Sequence, residues 1–426
     1  MADYAIYTEE MKKENYTILV PNMLPMHFQM MEPIMKQFGY NAKIMDNYGK
    51  HLAEIGLKYV HNDTCYPAIL VIGQLIDAIN SGNYDPNRVA LLMTQTGGGC
   101  RASNYIFLLR KALKKAGYGH IPVISFNLSG MEKESAFKIT LPMGVRLIQA
   151  VLCGDMLMQL RNQCRPYELN PGDTDRLAKA WTDRLTREME EENMLVSYLK
   201  VKKNYRQMVR DFAAIPMNRT EKKVKVGIVG EIFVKFSPLG NNHLDDFLVS
   251  EGAEVIMPGF LDFCLYCVYN SIEDYKLYGR GKKTVPIYRL IYRYLLKKRR
   301  EINRIIEREG TFRPSTDFDH SRERAKDYIG LGVKMGEGWL LTAEMLELAE
   351  DGAQGIVCTQ PFGCLPNHIV GKGMMKPIKE GNADVNIVAI DYDAGATQIN
   401  QENRIKMMLA NAREVLERQE SERKEM

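Results

Sequence analysis

Four cysteines occupy the same kind of position in the sequence, and their thiols are the groups best suited to chemistry. Cys65 lies in HNDTCYP, just before a helix that opens with a proline, and Cys100 lies in TGGGCRASN, between an apolar run and a helical run. Cys358 and Cys364 lie in CTQPFGCLPNH, at the end of a strand-like segment and in the loop after it. Because open α/β sheets bind ligands beyond the carboxyl ends of their strands, all four are expected near a site.

Thiolates at such positions are typical ligands of a metal ion or an iron–sulfur cluster. The free N–H groups and the dipole of a helix N-terminus lower the pKa of a thiol there. Gly98 and Gly99 would let the backbone approach a bulky inorganic ligand, and Arg101 is expected either to balance its negative charge or to meet the substrate. Free cysteine is also commonly a small buried hydrophobe, so inert thiols are the alternative. With neither a zinc-ribbon nor a ferredoxin motif present, spacing does not decide between zinc and a cluster.

The other four cysteines divide into two pairs. Cys153 and Cys164 lie in helical stretches with apolar neighbours, and we expect both to be buried. Cys264 and Cys267 form FCLYC, where helical spacing places both on one face. They are either an additional pair of ligands or part of the core.

Histidines and glycine-rich loops suggest weaker alternatives. His61 and His368 each lie four residues from a cysteine of the first group, and each is either a ligand, a proton donor or a hydrogen-bonded loop residue. Gly97 to Gly99 precede Cys-Arg rather than the Lys and Ser/Thr of a P-loop, which weakens a nucleotide site. The stretch IDYDAGAT, residues 390–397, resembles the phosphate loop of actin-like ATPases, but it leads into a helix near the end of the chain.

The apolar pattern predicts an α/β protein in which short strands alternate with helices, as parallel sheets covered by helices require. Predicted strands lie near residues 16–20, 42–45, 89–93, 122–126, 224–229, 253–257, 355–359 and 385–390. A charged helical stretch without strand signals separates the two groups of strands. We therefore predict an N-terminal α/β domain over 1–154, a helical connector over 155–220 and a C-terminal α/β domain over 221–426, with residues 417–426 fraying into solvent.

Composition excludes several classes of protein. The 426 residues carry a net charge of only +4, which gives no case for nucleic-acid binding. The sequence has no run of 18 or more apolar residues and no signal peptide. We therefore predict a cytoplasmic protein that binds no membrane. Residues 276–300 contain ten Lys or Arg and no Asp or Glu. This segment is either a solvated basic face or a docking face for an acidic partner or for phosphates of a nucleotide-like substrate.

Four long motifs resemble one known family. They are LKYVHNDTCYPAILVIGQ (57–74), TQTGGGCRASNYIFLLRKALKKAG (94–117), CTQPFGCLPNHIVGKGM (358–374) and IVAIDYDAGATQINQENRIKMML (387–409). The chain resembles the C-terminal part of acyl-CoA dehydratase activase-related proteins from about residue 16 to residue 412. That part is similar to the cluster-bearing component of 2-hydroxyacyl-CoA dehydratases and to double-cubane cluster reductases.

This resemblance implies an iron–sulfur cluster between two Rossmann-like domains. It implies Cys65, Cys100, Cys358 and Cys364 as ligands of a [4Fe-4S] cluster, with Cys267 as a fifth candidate at a position where relatives carry Cys or Ser. A double-cubane cluster would need Cys264 and Cys267 as well.

The same resemblance implies an oxidoreductase or dehydratase component. Low-potential electrons would come from a dimeric, actin-like ATPase activator with its own iron–sulfur cluster, for reductive or radical chemistry. The chain lacks the ATPase part of the large fusions, so we do not expect it to hydrolyse ATP alone, and a homodimer is compatible with the family. A non-catalytic metal-cluster or zinc scaffold protein is the alternative function.

Overall fold

The computed structural model describes residues 4–96, 98–126, 135–191 and 198–425, and it contains two parallel sheets of four strands. The first sheet has the order β2-β1-β3-β4 and the second the order β6-β5-β7-β8. The strands are β1 (Thr17–Val20), β2 (Ala42–Ile44), β3 (Val89–Thr94), β4 (Val123–Phe126), β5 (Val224–Gly230), β6 (Ala253–Ile256), β7 (Gly355–Pro361) and β8 (Asn386–Tyr392). Apolar runs at every predicted strand position form these strands, so the α/β fold with two Rossmann-like domains is confirmed.

Helices cover both sheets and fill the segment between them. The first domain contains α1 (Glu9–Lys13), α2 (Pro25–Gln37), α3 (His51–Tyr59), α4 (Tyr66–Asn80) and α5 (Tyr105–Lys115). The connecting segment contains α6 (Leu141–Cys164), α7 (Asp173–Glu191) and α8 (Tyr198–Ala213). The second domain contains α9 (Ile232–Phe236), α10 (Pro238–Asn241), α11 (Leu244–Ser250), α12 (Phe260–Tyr278), α13 (Val285–Glu309), α14 (Phe318–Ala325), α15 (Trp339–Glu350), α16 (Met375–Gly381) and α17 (Gln398–Glu425).

Each sheet has a switch point, where the connections from one strand lead to neighbours on its two opposite sides. In the first sheet β1 pairs with β2 on one side and with β3 on the other, and β5 has the same relation to β6 and β7 in the second. Ligands of doubly wound sheets bind beside such points, at the carboxyl ends of the strands. A ligand site is therefore expected at the loops that follow β3, β5 and β7.

The connecting helices pack into the molecule instead of forming an extended linker. α6, α7 and α8 share one apolar cluster with α12, α13 and α15, around the fully buried Trp339. Within the described part of residues 155–220 there is no strand, only an isolated bridge between Glu168 and Met217. α6 runs across the predicted boundary at residue 154. The precise domain limits stay predictions.

One helix deserves comparison with the expectation that no segment crosses a membrane. In the described part of the chain, Leu141–Tyr167 alone is long and apolar enough to do so by length and composition. However, 56% of its most apolar stretch is buried, and Arg146 and Asn162 on this helix are buried inside the protein. This is the packing of a core helix in a globular protein.

Helix α4, which Cys65 precedes, is held by a close crossing with α3. A Cβ atom on Gly56 or Gly73 would collide with the backbone carbonyl oxygen of Ile69 or Leu52, respectively. Glycine at both positions lets the two backbones touch, because no side chain separates them. This crossing fixes the start of α4, and with it the position of Cys65.

The C-terminal stretch differs from the prediction that it frays. α17 continues to Glu425, so the described residues 417–425 are helical. Arg418 pairs with Asp384, and the amide of Gln354 donates to Gln419 Oε1 at 3.3 Å. These contacts with the second domain hold a segment whose composition alone resembles a solvated tail.

Candidate functional site

Three of the predicted cysteines meet at the boundary of the two domains. Cys65 is the residue before α4, and Cys100 accepts a hydrogen bond from Ala102 N at 3.5 Å at the start of a 3-10 turn. Cys364 follows β7 and receives a hydrogen bond from Asn367 Nδ2 at 3.4 Å. The N–H of Tyr66 donates to Phe362 O at 3.1 Å, so the loop after β7 lies against the start of α4.

Glycines allow the loops of the two domains to approach this closely. Gly363 has a φ of +73°, and a Cβ on it would lie 3.2 Å from Cys65 Cα. A Cβ on Gly336 would lie 3.1 Å from Pro366 and 3.7 Å from Cys100 Sγ. The backbone therefore passes directly beside both thiols of the first domain, as a close-fitting site requires.

Two carboxylic acids that the sequence analysis missed lie among these thiols. Glu231 directly follows β5, and its Oε2 accepts a hydrogen bond from Val234 N at 2.9 Å. Glu337 precedes α15, and its Oε1 accepts one from Ile232 N at 3.0 Å. Negative charge on either carboxylate raises the pKa of both Cys100 and Cys364. Both thiols therefore lie within electrostatic range of the same pair of acids.

The carboxyl pair itself resists ionisation. Enclosure by protein and the neighbouring Glu337 raise the pKa of Glu231 to about 8, and burial raises the pKa of Glu337. Two acids side by side with little water cannot both ionise readily. The pair therefore retains a proton at neutral pH beside the thiols.

The side chains around these thiols are reached by solvent although the surrounding protein desolvates them, and the region that they line is called the recess. Cys267 is exposed to solvent, and Cys100 and Glu231 are partly exposed, yet surrounding protein desolvates all three and raises their pKa values. Side chains that are accessible but enclosed line a recess inside the molecular boundary. Cys65 and Cys364 lie deeper and are buried.

The thiols are less acidic than their helix-start positions predict. Burial raises the pKa of Cys65, raises that of Cys100 to about 12 and raises that of Cys364 further. Desolvation of the thiolate thus outweighs the hydrogen bonds from the helix starts. At neutral pH these thiols are protonated, and a bound metal must displace their protons.

Tyr105 and Arg101 set the electrostatics of Cys65. The hydroxyl of Tyr105, the first residue of α5, lies 2.8 Å from Cys65 Sγ. This hydrogen bond and the charge of Arg101 both lower the pKa of Cys65 against the effect of burial. The guanidinium of Arg101 also donates to the carbonyl oxygen of Asp63. Arg101 therefore lies within electrostatic range of Cys65.

The glycines before Cys100 have different environments. Gly98 adopts a φ of +86° with open space around its Cα, and Gly99 packs against the thioether of Met335 from the second domain. Gly97 lies outside the described residues. Gly99 therefore serves the contact between domains, and nothing in its surroundings has the form of a phosphate cradle.

Cys358 occupies a different environment from the other three. It is fully buried on β7 in an apolar cluster with α15 and α16. The side chain of Asn367 lies between it and Cys364, with Oδ1 4.0 Å from Cys358 Sγ. Asn367 begins a π-helical turn, Asn367–Gly371, a feature frequently found at functional sites.

Cys264 and Cys267 share α12 but not their surroundings. Cys264 packs against the apolar cluster of the connecting helices. Cys267 lies in the recess, where the charge of Glu337 raises the pKa of its thiol. The buried Tyr266 beside it donates to Gly336 O at 2.9 Å and so holds the loop next to Cys100. Cys153 and Cys164 are buried, as predicted.

Among the described residues, the ring of neither histidine hydrogen-bonds a cysteine, although the backbone N–H of His368 donates to Cys364 O at 3.3 Å. His61 is exposed and its Nδ1 lies 3.2 Å from Asp63 Oδ2. His368 is exposed, and the Gln360 amide lies 2.6 Å from its Nδ1.

The loop of residues 393–397 connects β8 to α17 and is exposed. It does not join two hairpin strands, as the phosphate loop of an actin-like ATPase would.

A partly open cavity lies elsewhere, between α6 and the second domain. Its volume is about 110 Å³, and its walls include Asp262, Arg299, Asn303 and Arg313 but no cysteine. Buried atoms there, such as Asn303 Oδ1 and Arg313 Nη1, lack a hydrogen-bond partner among the described residues. With polar side chains in its walls and room for water, this cavity suits ordered water. The chemically equipped recess is the better candidate for function.

The donors near the recess are mainly thiols. Among the described residues, no group of three or more His, Cys, Asp or Glu is arranged to hold one metal ion. A cubane distributes its thiolate ligands over several iron atoms, so its ligands do not converge on one point. Thiols are the ligand type that such a cluster takes, and Cys65, Cys100, Cys364 and Cys267 supply this type near the recess.

Sequence signals for the missed residues existed in part. Glu231 is the residue after a strand, the same rule that selected the cysteines, and Tyr105 lies one turn after Cys100. Glu337 lies in the loop KMGEGW, which carries no chemical signature. Comparison with known proteins adds no assignment, because no protein-family model and no curated protein matches the chain.

Proposed function

We propose that the protein binds an iron–sulfur cluster in this recess and uses it in electron transfer of the 2-hydroxyacyl-CoA dehydratase or double-cubane reductase type. The observation that carries the proposal is the meeting of Cys65 and Cys100 with Cys364, from opposite domains, around one carboxyl pair. When bound, the cluster would supply a one-electron carrier with a coordination position for substrate.

The chain's own residues support a redox group there. The hydroxyl of Tyr105 lies 2.8 Å from Cys65 Sγ and could donate to a thiolate there, and hydrogen bonds to sulfur are one means by which proteins set a cluster's potential. Glu231 and Glu337 hold a proton next to the thiols, where it is available to a substrate that gains an electron. Arg101 provides positive charge at the rim.

The mouth of the recess is suited to an apolar or protein ligand. Phe362 and Leu365 flank Cys364 and are about half exposed, at 48% and 56%, and Met335 is 53% exposed beside Gly99. Large apolar side chains clustered around a chemical group mark a binding surface. We propose that substrate enters here.

The proposed partner is a dimeric actin-like ATPase that carries its own cluster and delivers low-potential electrons. We place the protein in the cytoplasm, because all eight cysteines are free thiols and a reducing compartment preserves them. A homodimer is compatible with this assignment.

Anaerobic reconstitution with iron and sulfide, followed by analysis of both elements and by electron paramagnetic resonance after reduction, tests the proposal. The wild type is expected to bind iron and sulfide in equal amounts, and Cys100→Ser and Cys364→Ser to lose most of both. Cys153→Ser and Cys164→Ser are matched controls, since they remove thiols buried away from the recess. Iron contents of Cys267→Ser and Cys358→Ser decide which of these two thiols is a further ligand.

Two outcomes would refute the proposal. One is a colourless, iron-free wild-type protein after reconstitution. The other is stoichiometric zinc that no reductant alters, which would favour a structural zinc scaffold.

A further inference from the structure

Helix α13 presents an apolar stripe to solvent on the side opposite its packed face. Its buried face consists of residues such as Tyr292, Leu295 and Leu296. On the other side Ile287, Leu290, Ile291 and Tyr294 are 59%, 69%, 39% and 39% exposed. Their spacing of three and four residues places them in one row along the helix. A helix with a second apolar face on its solvent side has surface left for another partner.

Basic side chains without counterions border this row. Arg289, Arg293 and Lys297, four residues apart, form a parallel row on one flank. Within the described chain none of the three has an ion pair or a hydrogen bond. Farther along the same helix Arg299 pairs with Asp262 and Arg300 with Asp319 at 3.0 Å.

We propose that this α13 face, residues 287–297, docks an acidic amphipathic helix of a partner protein. The partner's apolar side chains would cover Ile287, Leu290 and Ile291. Its carboxylates would lie along the row of Arg289, Arg293 and Lys297. Such a helix matches both the i, i+3, i+4, i+7 anchors and the sign of the charge.

The arrangement favours a protein helix over the other occupants. A helix that lies on a membrane is typically rich in Trp, Phe and Leu on its apolar face, whereas the exposed row of α13 has one Leu, one Tyr and neither Trp nor Phe. A second copy of this chain, placed by a two-fold axis, would set one basic row against another and repel it.

The docking face is joined mechanically to the recess. A Cβ on Gly332 would lie 3.1 Å from Leu277, at the end of α12 just before α13, and Lys334 pairs with Asp274 of α12. The same loop continues to Gly336 beside Cys100. A partner on α13 would therefore bind a helix that packs against α12, and α12 contacts the recess loop. The docking proposal stands without a cluster, because it can be measured on the metal-free chain.

Fluorescence anisotropy with a synthetic helical peptide, with Leu on one face and Glu beside it, tests the docking face directly. We expect saturable binding that weakens as salt increases, and no binding of the same peptide with Lys in place of Glu. The double variant Arg289→Glu/Arg293→Glu and the variant Leu290→Ser should each weaken binding by about 10-fold or more. Lys50→Glu/Lys111→Glu, with the same charge change on a distant exposed surface, should bind as the wild type does.

All these substitutions are at exposed positions, and unchanged thermal unfolding confirms that the variants fold. Absence of peptide binding, or binding that the α13 variants leave intact, overturns the proposal. Stronger binding to vesicles of phosphatidylcholine and phosphatidylserine than to the peptide would assign the face to a membrane instead. A dimer in sedimentation that Leu290→Ser dissociates would assign it to a second copy of the chain.

Discussion

At the scale of single residues, the properties of each thiol come from side chains distant in sequence. Cys65 owes part of its acidity to Tyr105, which is forty positions away, and Cys100 is affected by Glu231 and Glu337 of the other domain. Local motifs located the cysteines because strand ends and helix starts are readable in sequence. They could not supply the neighbours, which only tertiary packing brings together.

Tyr105→Phe should make the reduction potential of the reconstituted cluster more negative. The substitution removes the hydroxyl next to Cys65 Sγ, and a hydrogen bond to a ligand sulfur stabilises the more negative, reduced state. Potentiometric titration followed by electron paramagnetic resonance measures the change. Tyr118→Phe is the control. It removes a hydroxyl of the same domain that donates to Asn80 instead of lying beside a cysteine. An unchanged reduction potential would show that the Tyr105 hydroxyl does not interact with a cluster ligand.

Glu231→Gln should remove a pH dependence of stability in the metal-free protein. The pKa of Glu231 is raised from 4.5 to about 8 in the fold. Its contribution to stability is therefore complete below pH 4.5 and is lost as pH rises to about 8. Above that pH the variant should be more stable than the wild type by on the order of 2 kcal/mol, since Glu337 shares the effect. Denaturant unfolding at several pH values measures this, and parallel curves for both proteins would contradict it.

At the scale of elements, α12 depends on a residue of the connecting segment. Asp155 of α6 accepts hydrogen bonds from Phe260 N and Leu261 N, both at 2.8 Å, at the first turn of α12. It also lies 2.8 Å from Nε2 of the buried His27. This single carboxylate thus links α2 and α6 with the helix that carries Cys267.

Asp155→Ala should lower the free energy of unfolding by about 3 kcal/mol. The substitution removes an N-terminal cap and leaves a buried imidazole without its partner. Asp155→Asn keeps one acceptor in place and should lose clearly less. Denaturant unfolding of the metal-free proteins measures both. Equal stability of Asp155→Ala and wild type would show that the cap carries no weight.

The elements themselves were predictable because their periodicity is local. Apolar runs such as 89–93 and 224–229 gave every strand of both sheets within two residues. The helical end of α17 was not predicted. Arg418 pairs with Asp384 and Gln419 accepts a hydrogen bond from Gln354, and sequence periodicity does not reveal these contacts. The segment Leu141–Tyr167 is long and apolar enough to span a membrane, but its packing is that of a core helix.

At the scale of the whole molecule, the two domains are joined by one continuous core. A single apolar cluster contains both Leu91 of the first sheet and Ile228 of the second. The sequence predicted two sheets, but not that their switch points meet, because their relative placement depends on the packing of α6, α12 and the loops at Gly336 and Gly363. That meeting is what turns separate cysteines into one candidate site.

Cluster binding should stabilise the molecule as a whole. Ligands from both domains tie them together, and a group that binds only the folded state raises stability by mass action. Anaerobic reconstitution is expected to raise the melting temperature of the wild type by several degrees, about what a few kcal/mol produces. Cys364→Ser should show no such rise, and Cys164→Ser should keep it. A rise of equal size in both variants would place the metal elsewhere.

The most direct test of the account is an anomalous-difference map collected at the iron absorption edge from crystals of the anaerobically reconstituted protein. Cluster binding by these thiols predicts a peak in the recess between the domains, within ligand distance of Cys65, Cys100 and Cys364. An iron peak at another place, or no iron in fully reconstituted crystals, would contradict it.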